Sequence, residues 1–514
     1  MMVKKSFAKP YLPGVILFLF SLVIALLCFK DYGVGWDEPI QRDMGEVSYN
    51  YVFKGDKSLL TYVDRSHGVA FELPLFLLEK ALHITDTQPL YLMRHLVTHL
   101  FYLVSVFCGY VLAYRLFKDR LLASLGFILL AFNPRLYAHS FFNSKDIPFY
   151  SALIIVLLVT QVAFEKKRLG WFALLGIVCA YATSIRAMGI LFAVCISLFF
   201  IADIFASPYK KENRNNGLKG FVIFFVSYCA FLYLTWPLLW SAPLHYFKEE
   251  FLSLSHIYWE GIVLLNGTVY HGDHLPWFYT PVWFSITTPI LWLAAGLTGT
   301  IWVIVSFFRN PVGYLTNTPQ RNYLLYVLLF ALPVISVVAL NSINYDDWRH
   351  LYFIYPPFVI LALFVIQKFS AGKKKWIIAG LCTLQVASTS EFMIKYHPHQ
   401  QVYFNNLVDH KDEFLRTHYD LDYWGCAYKQ GYEYILAHDT SSVIRVWQSL
   451  DPVKTNRRIL PKAGRDRIRM VAEDEQPTYF ITNFRLHPGD YPYTHIVYEI
   501  KVLNSTILRV YKIR

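Results

Sequence analysis

Phe149-Tyr150-Ser151-Ala152-Leu153-Ile154-Ile155-Val156-Leu157-Leu158-Val159-Thr160-Gln161-Val162-Ala163-Phe164 runs for sixteen residues without a charge and stops at Glu165-Lys166-Lys167-Arg168. Similar runs recur along the chain, many of them roughly 17–22 residues long, the length of helix that crosses a hydrocarbon core of about 30 Å. Outward from 149–164, spans are expected near 13–29, 94–114, 121–138, 171–185, 187–205, 220–240, 282–307, 322–341, 350–367 and 376–392, eleven in all. Composition agrees: 55% of the 514 residues are hydrophobic, 18% aromatic and only 16% charged, with a mean hydropathy of +0.35, whereas soluble domains hold about 45–50% apolar and about 25% charged residues.

The net charge of +12 does not point to nucleic acid, because the basic residues sit in short turns between apolar runs, where a membrane protein keeps them. Lys4, Lys5 and Lys9 precede the first run, and every second connection is basic: Arg115 to Arg120, Glu165 to Arg168, Lys210 to Lys219, Arg309 to Arg321 and Lys373 to Lys375. All agree on one orientation, with the N-terminus cytoplasmic and the C-terminus outside. The first run is long and followed by Lys30-Asp31-Tyr32 without a small-residue cleavage pattern, so it is expected to remain as a helix. Of the seven cysteines, Cys28, Cys108, Cys179, Cys195, Cys229 and Cys382 lie in apolar runs and only Cys426 in a polar region, so no disulfide framework or metal spacing is readable.

The expected architecture is an all-α polytopic membrane bundle over 1–394, with long external loops at 30–93 and 241–281, followed by a small extracytoplasmic α/β domain over 395–514. In that tail Val443 to Val446, Thr478 to Thr482, Ile496 to Ile500 and Ile507 to Val510 are strand-like, and Tyr428 to Ala437 suits a short helix. No internal repeat is visible, which disfavours an inverted-repeat transporter.

The candidate chemistry gathers on the outer side. Gly33-Val34-Gly35-Trp36-Asp37-Glu38-Pro39 places two adjacent carboxylates just beyond the first span, a general base and a partner for a cation or hydroxyl. The turn Asn143-Ser144-Lys145-Asp146-Ile147-Pro148 holds Asp146 at the same surface, with a helix cap as the plainer reading. Arg186 interrupts the stretch 171–205, and Arg349 with His350 opens the tenth span. Ionisable groups at membrane depth find a partner or line a polar cavity; the plainer reading is snorkelling or pairing with Asp346 or Asp347, the functional one binding of a lipid phosphate by a fixed guanidinium. The loop 269–279 ends in Pro276-Trp277-Phe278-Tyr279, whose rings suit an interface anchor or a sugar face. Its His271, Asp273 and His274 lack a further partner that would make them a metal site.

On these residues the chain resembles the membrane-embedded glycosyltransferases that use polyprenyl-phosphate sugars, the family 39 group of protein O-mannosyltransferases and bacterial aminoarabinose transferases, over roughly 13–392. The acidic pair Asp37-Glu38 after the first helix, Asp146 in the next external turn and the aromatic loop carry the resemblance. The segments Asp346 to Phe353, His397 to Asn405 and Asp422-Tyr423-Trp424-Gly425 look like those of uncharacterised bacterial members. The resemblance implies a GT-C-like fold in the cell (inner) membrane and a hexosyl- or pentosyl-type transfer, inverting, from a polyprenyl-phosphate donor to a protein, lipid or glycan acceptor. It implies Asp37 as base, with Glu38 in support and Asp146 organising the acceptor or a second loop. Arg186 and Arg349 would hold the donor phosphate, with Lys145, Tyr279 and His350 also in the substrate site. No cofactor is firmly implied and no metal ligands are assigned; a divalent cation stays open. The rival class is a transporter or flippase for a lipid-linked solute, which the long acidic outer loops and the external domain disfavour.

Overall fold

In the computed structural model the described residues are 9–65, 67–205, 211–253, 259, 261–448 and 452–514. Each of the eleven expected spans coincides with helix, but by length and composition seven helices among the described residues qualify as membrane-crossing, or eight when one bent pair is taken as a single span. The remaining three, Leu12–Cys28, Leu169–Thr183 and Ala187–Ala202, are shorter apolar helices. Asp146–Lys166 and Arg349–Phe369 have 89% of their apolar window buried and form the centre of the bundle, while Gly217–Thr235 and Lys374–Lys395, at 22%, lie at its rim. That is why the run 149–164 is apolar all round: it packs on every side.

The span expected at 121–138 is broken. Arg120–Ala131 and Pro134–Phe142 meet at 57°, because Pro134 starts a new helix whose N-terminal Leu136 N–H is capped by Asn133 Oδ1. All nine residues of Pro134–Phe142 are buried, so Arg135 and His139 stand inside the protein and not at a surface. The stretch 282–307 likewise divides at Thr288-Pro289 into Tyr279–Thr287 and Ile290–Arg309.

The long loop 30–93 is itself helical, with Glu38–Lys54 and Glu72–Ala81 packed together. The loop 241–281 carries a hairpin of β1 (Ile262–Leu265) and β2 (Thr268–His271). It turns through Asn266 and Gly267, both with positive φ, as a two-residue hairpin turn demands.

The tail holds a five-stranded sheet of β3 (Ile444–Gln448), β4 (Ile468–Met470), β5 (Tyr479–Thr482), β6 (Ile496–Val502) and β7 (Ser505–Lys512), in the order β4-β3-β5-β7-β6. β3 runs parallel to β4 and β5, and β7 is antiparallel to β5 and β6. The helix Tyr428–His438 packs on it. Between the last span and the sheet, residues 397–430 fold back against the bundle: Gln400 accepts from Tyr32 Oη at 3.0 Å, and Asn405 Nδ2 donates to the Ser285 and Thr288 carbonyls at 2.7 and 2.6 Å.

Candidate active site

Asp37 reaches its place because an extended thread from the first helix is clasped by the tail. Val34 donates to Asn456 Oδ1 at 3.0 Å, Asn456 Nδ2 returns a bond to the Val34 carbonyl at 2.9 Å, and Trp36 N–H donates to the Trp424 carbonyl at 3.2 Å. Glycine is required on this thread: a Cβ on Gly33 would stand 2.2 Å from the Cys426 carbonyl oxygen, and one on Gly35 2.2 Å from the Trp424 ring. The helix Glu38–Lys54 begins immediately after, with Pro39 in its first turn.

The two adjacent carboxylates then part. Glu38 is buried, its Oε1 accepting from the Gly35 N–H at 2.7 Å and lying 3.2 Å from His95 Nε2, so it fastens the loop. Asp37 keeps 29% of its side chain exposed and faces Arg349, Oδ2 to Nη1 at 3.0 Å.

Asp146 is the first residue of its helix, and its turn is capped by Asn143, whose Oδ1 accepts from the Asp146 N–H at 2.8 Å. The carboxylate is therefore free for other partners. Asn143 Nδ2 donates to Oδ2 at 2.9 Å, Arg186 pairs with Oδ1, and Arg349 Nη1 lies 3.7 Å from Oδ2. Arg186 sits where Leu169–Thr183 has ended and the next helix has not begun, a break instead of mid-span. The loop 30–93 covers this break: Ala70 N–H donates to the Ser184 carbonyl at 3.1 Å, and a Cβ on Gly68 would meet that oxygen at 2.1 Å. His67, on the same loop, is thereby brought beside Lys145 and Arg186; burial first, then those two cations, pushes its imidazole well below its usual range.

Arg349 is only 4% exposed and is shared by three carboxylates, Asp37, Asp146 and Asp346, the last at 3.4 Å from Nη2. Its guanidinium also lies over the Tyr345 and Trp424 rings at 4.9 and 5.2 Å. Asp346 has a second cation, Arg485 Nη2 at 2.8 Å. Three guanidiniums (Arg186, Arg349, Arg485) thus balance three carboxylates (Asp37, Asp146, Asp346), and Lys145 is left over. Its ammonium has no hydrogen bond or ion pair among the described residues. Burial first, then Arg186, lowers it to about 7, against the opposite pull of Asp146 and Asp37. A divalent cation does not fit here: Arg349 already bridges Asp37 and Asp146, and among the described residues no group of three or more His, Cys, Asp or Glu side chains is placed to hold a metal.

His350 lies beside this cluster, its Nδ1 3.0 Å from Asn344 Oδ1, while Asn344 Nδ2 donates to Thr280 at 2.8 Å. Asn344 and Thr280 line a cavity of about 480 Å³ between 272–280 and the C-terminal end of Thr318–Ala339. Tyr279 lines it too, but is 2% exposed and packs against Trp283, so Trp277, at 69%, is the ring of that loop open to a ligand.

A second buried ion pair underlies the site. Arg135 Nη1 donates to Asp347 Oδ2 at 2.9 Å, both side chains fully buried, and the same oxygen accepts from Tyr352 and Tyr423 Oη at 3.0 and 2.6 Å. The pairing expected of Arg349 with Asp346 or Asp347 is therefore divided: Asp346 goes to Arg349, Asp347 to Arg135. His67, Arg135 and Arg485 were not singled out from the sequence. Arg135 carried the signal applied to Arg186, a lone cation inside an apolar run; His67 and Arg485 carried none.

Residues 90–236 match the family described as dolichyl-phosphate-mannose-protein mannosyltransferase. That segment contains Lys145, Asp146 and Arg186 but neither Asp37 nor Arg349. Among solved structures the chain is similar to the oligosaccharyltransferase of Archaeoglobus fulgidus in the apo form, with TM-score 0.51 and 10% identity, over 93% of this chain and 66% of that one. It therefore spans just under two thirds of that enzyme's length. It is also similar to ArnT from Cupriavidus metallidurans in the apo state, with TM-score 0.50 and 13% identity, over 96% of this chain and 97% of that one. No curated protein matches the chain by sequence. The fold is the GT-C-like fold of membrane glycosyltransferases, and the protein is a multi-pass membrane protein.

Proposed function

We propose that the protein is an inverting glycosyltransferase that moves a hexose or pentose from a polyprenyl-phosphate donor to an acceptor on the outer face of the membrane, with 395–514 as an extracytoplasmic domain. The observation that carries the reading is Lys145: an ammonium with no direct ion pair or hydrogen bond among the described residues, near a carboxylate, Asp37, that is itself held by Arg349 and keeps access to solvent. A lipid phosphodiester brings the missing negative charge and stays at the depth where a span begins. In the reaction the acceptor oxygen attacks the anomeric carbon as Asp37 takes its proton. The bond from that carbon to the phosphate oxygen breaks, and the electron pair leaves on the phosphate facing Lys145 and Arg186. Arg349, occupied by three carboxylates, orients Asp37 in this scheme and leaves the phosphate to Lys145 and Arg186. The test is transfer in lipid vesicles: purified protein with polyprenyl-phosphate sugars and envelope acceptors should release free polyprenyl phosphate, and inertness towards every such donor would refute the reading.

Donor affinity should depend on pH through Lys145. The free ammonium is charged below about 7, the phosphodiester keeps its charge throughout the neutral range, and so binding is strongest below pH 7 and weakens as pH rises above it. Lys145→Met should lose about ten- to more than a hundred-fold in affinity, the worth of a charge-assisted contact of about 1.5–3 kcal/mol, and should flatten this pH dependence. Titrating donor binding to both proteins from pH 6 to 9 checks it; parallel curves would remove Lys145 from the phosphate.

The orientation follows the basic loops. Ser58→Cys, in an exposed part of the outer loop, should react with a membrane-impermeant maleimide on intact cells. Lys374→Cys should react only after permeabilisation, and the reverse pattern would invert the topology.

A further inference from the structure

Two segments with left-handed backbone meet beside Asp37, and the one that holds bulky residues there belongs to the tail. Asp346 and Asp347 both hold positive φ, 58° and 65°, and so do Phe484 and Leu486, at 61° and 62°, on either side of Arg485. Bulky L-residues rarely adopt this conformation, and where they do the surroundings must impose it. At 483–486 the clamps are visible. Asn483 Nδ2 donates to the Asp422 carbonyl at 2.8 Å, its N–H donates to Tyr428 Oη at 3.0 Å, and the Phe484 ring lies 4.5 Å from the Arg416 guanidinium and 5.3 Å from that of Arg509.

The strain delivers one side chain. Arg485 donates to the Tyr423 carbonyl, donates to Asp346 Oδ1 at 2.8 Å, and lies over the Trp36 ring at 5.6 Å. Asp346 is thereby shared: Oδ1 goes to Arg485 and Oδ2 to Arg349 at 3.4 Å, while the other end of Arg349 holds Asp37 at 3.0 Å. Arg485 thus stands at the head of a charge chain, Arg485–Asp346–Arg349–Asp37, and also packs on the residue before Asp37.

We propose that Arg485 is a positioning residue that sets Asp37 for the transfer by occupying half of Asp346, so that Arg349 is not drawn wholly onto that carboxylate and away from Asp37. The catalytic consequence rests on the transfer proposed above; the geometric one does not. Arg485 touches no reacting atom in this scheme and acts only through Asp346, Arg349 and Trp36.

In full-length protein in vesicles, Arg485→Gln should lower kcat about ten- to a hundred-fold with donor KM changed less than threefold, and Arg485→Lys should restore part of it. If the effect travels through Asp346, Arg485→Gln combined with Asp346→Asn should cost no more than the worse single change, whereas multiplied effects would overturn the chain. A readout independent of activity is the alkylation of Asp37→Cys, followed at that residue by mass spectrometry across pH. Arg349 beside the thiolate favours it, so adding Arg485→Gln should move the midpoint upward by more than half a pH unit. An unmoved midpoint would overturn the proposal even if kcat fell. A wild-type protein inert to every donor would refute the transfer reading and leave this measurement to decide the role of Arg485.

Discussion

Asp37→Asn is expected to reduce sugar transfer by about a hundred- to ten-thousand-fold, the range typical of losing one positioned base, with donor affinity largely intact. The amide keeps the size of the carboxylate and can still face Arg349, but it accepts no proton from the acceptor. Glu38→Gln should behave differently. Glu38 bonds the Gly35 N–H and His95 and is buried, so its change should lower folded yield more than turnover per folded molecule. Single-turnover rates and donor binding on the same preparations separate the two. Near-normal turnover in Asp37→Asn would remove it as the base.

Arg135→Met should cost about 3–5 kcal/mol of stability, because it leaves the fully buried Asp347 carboxyl without its cation. Thermal denaturation in detergent would show this as a marked fall in Tm. Arg135→Met with Asp347→Asn should recover much of the loss, since the neutral amide still accepts from Tyr352 and Tyr423. A single variant as stable as the wild type would mean that the pair does not hold the site's floor.

The helices were legible where apolar length alone decided them. All eleven expected spans coincide with helix, and the tail's β3, β5, β6, β7 and the helix Tyr428–His438 stand where their alternation and flanking residues pointed. The break at Phe132-Asn133-Pro134 was overridden by the hydrophobicity around it, although Asn-Pro is a helix-start signal. The signal for the hairpin at 262–271 is Asn266-Gly267 between apolar stretches, inside a loop read for its aromatic and polar residues and not for strands. β4 is three residues, Ile468–Met470, too short for any period to register. In the site, Asp37, Asp146, Lys145, Arg186, Arg349 and His350 come together, because ionisable groups next to apolar runs are rare enough to notice. The division of labour between Asp37 and Glu38 was not legible, since adjacent carboxylates look alike until the backbone aims them apart. Arg485 was hidden for a similar reason: in a polar domain one more arginine is unremarkable, and only tertiary folding carries it to Asp346.

The clasp of Val34 and Trp36 by Trp424 and Asn456 also has a meaning in time. Trp424 is made 390 residues after Val34, and at about 5–20 residues per second synthesis of the intervening chain takes roughly 20–80 s. Through that interval the first helix is already in the bilayer while Gly33 to Asp37 has nothing to thread beneath. Asp37 is therefore fixed in place last although it is translated among the first, and a ribosome that stalls before Trp424 releases a set of inserted helices whose Gly33 to Asp37 thread has no clasp.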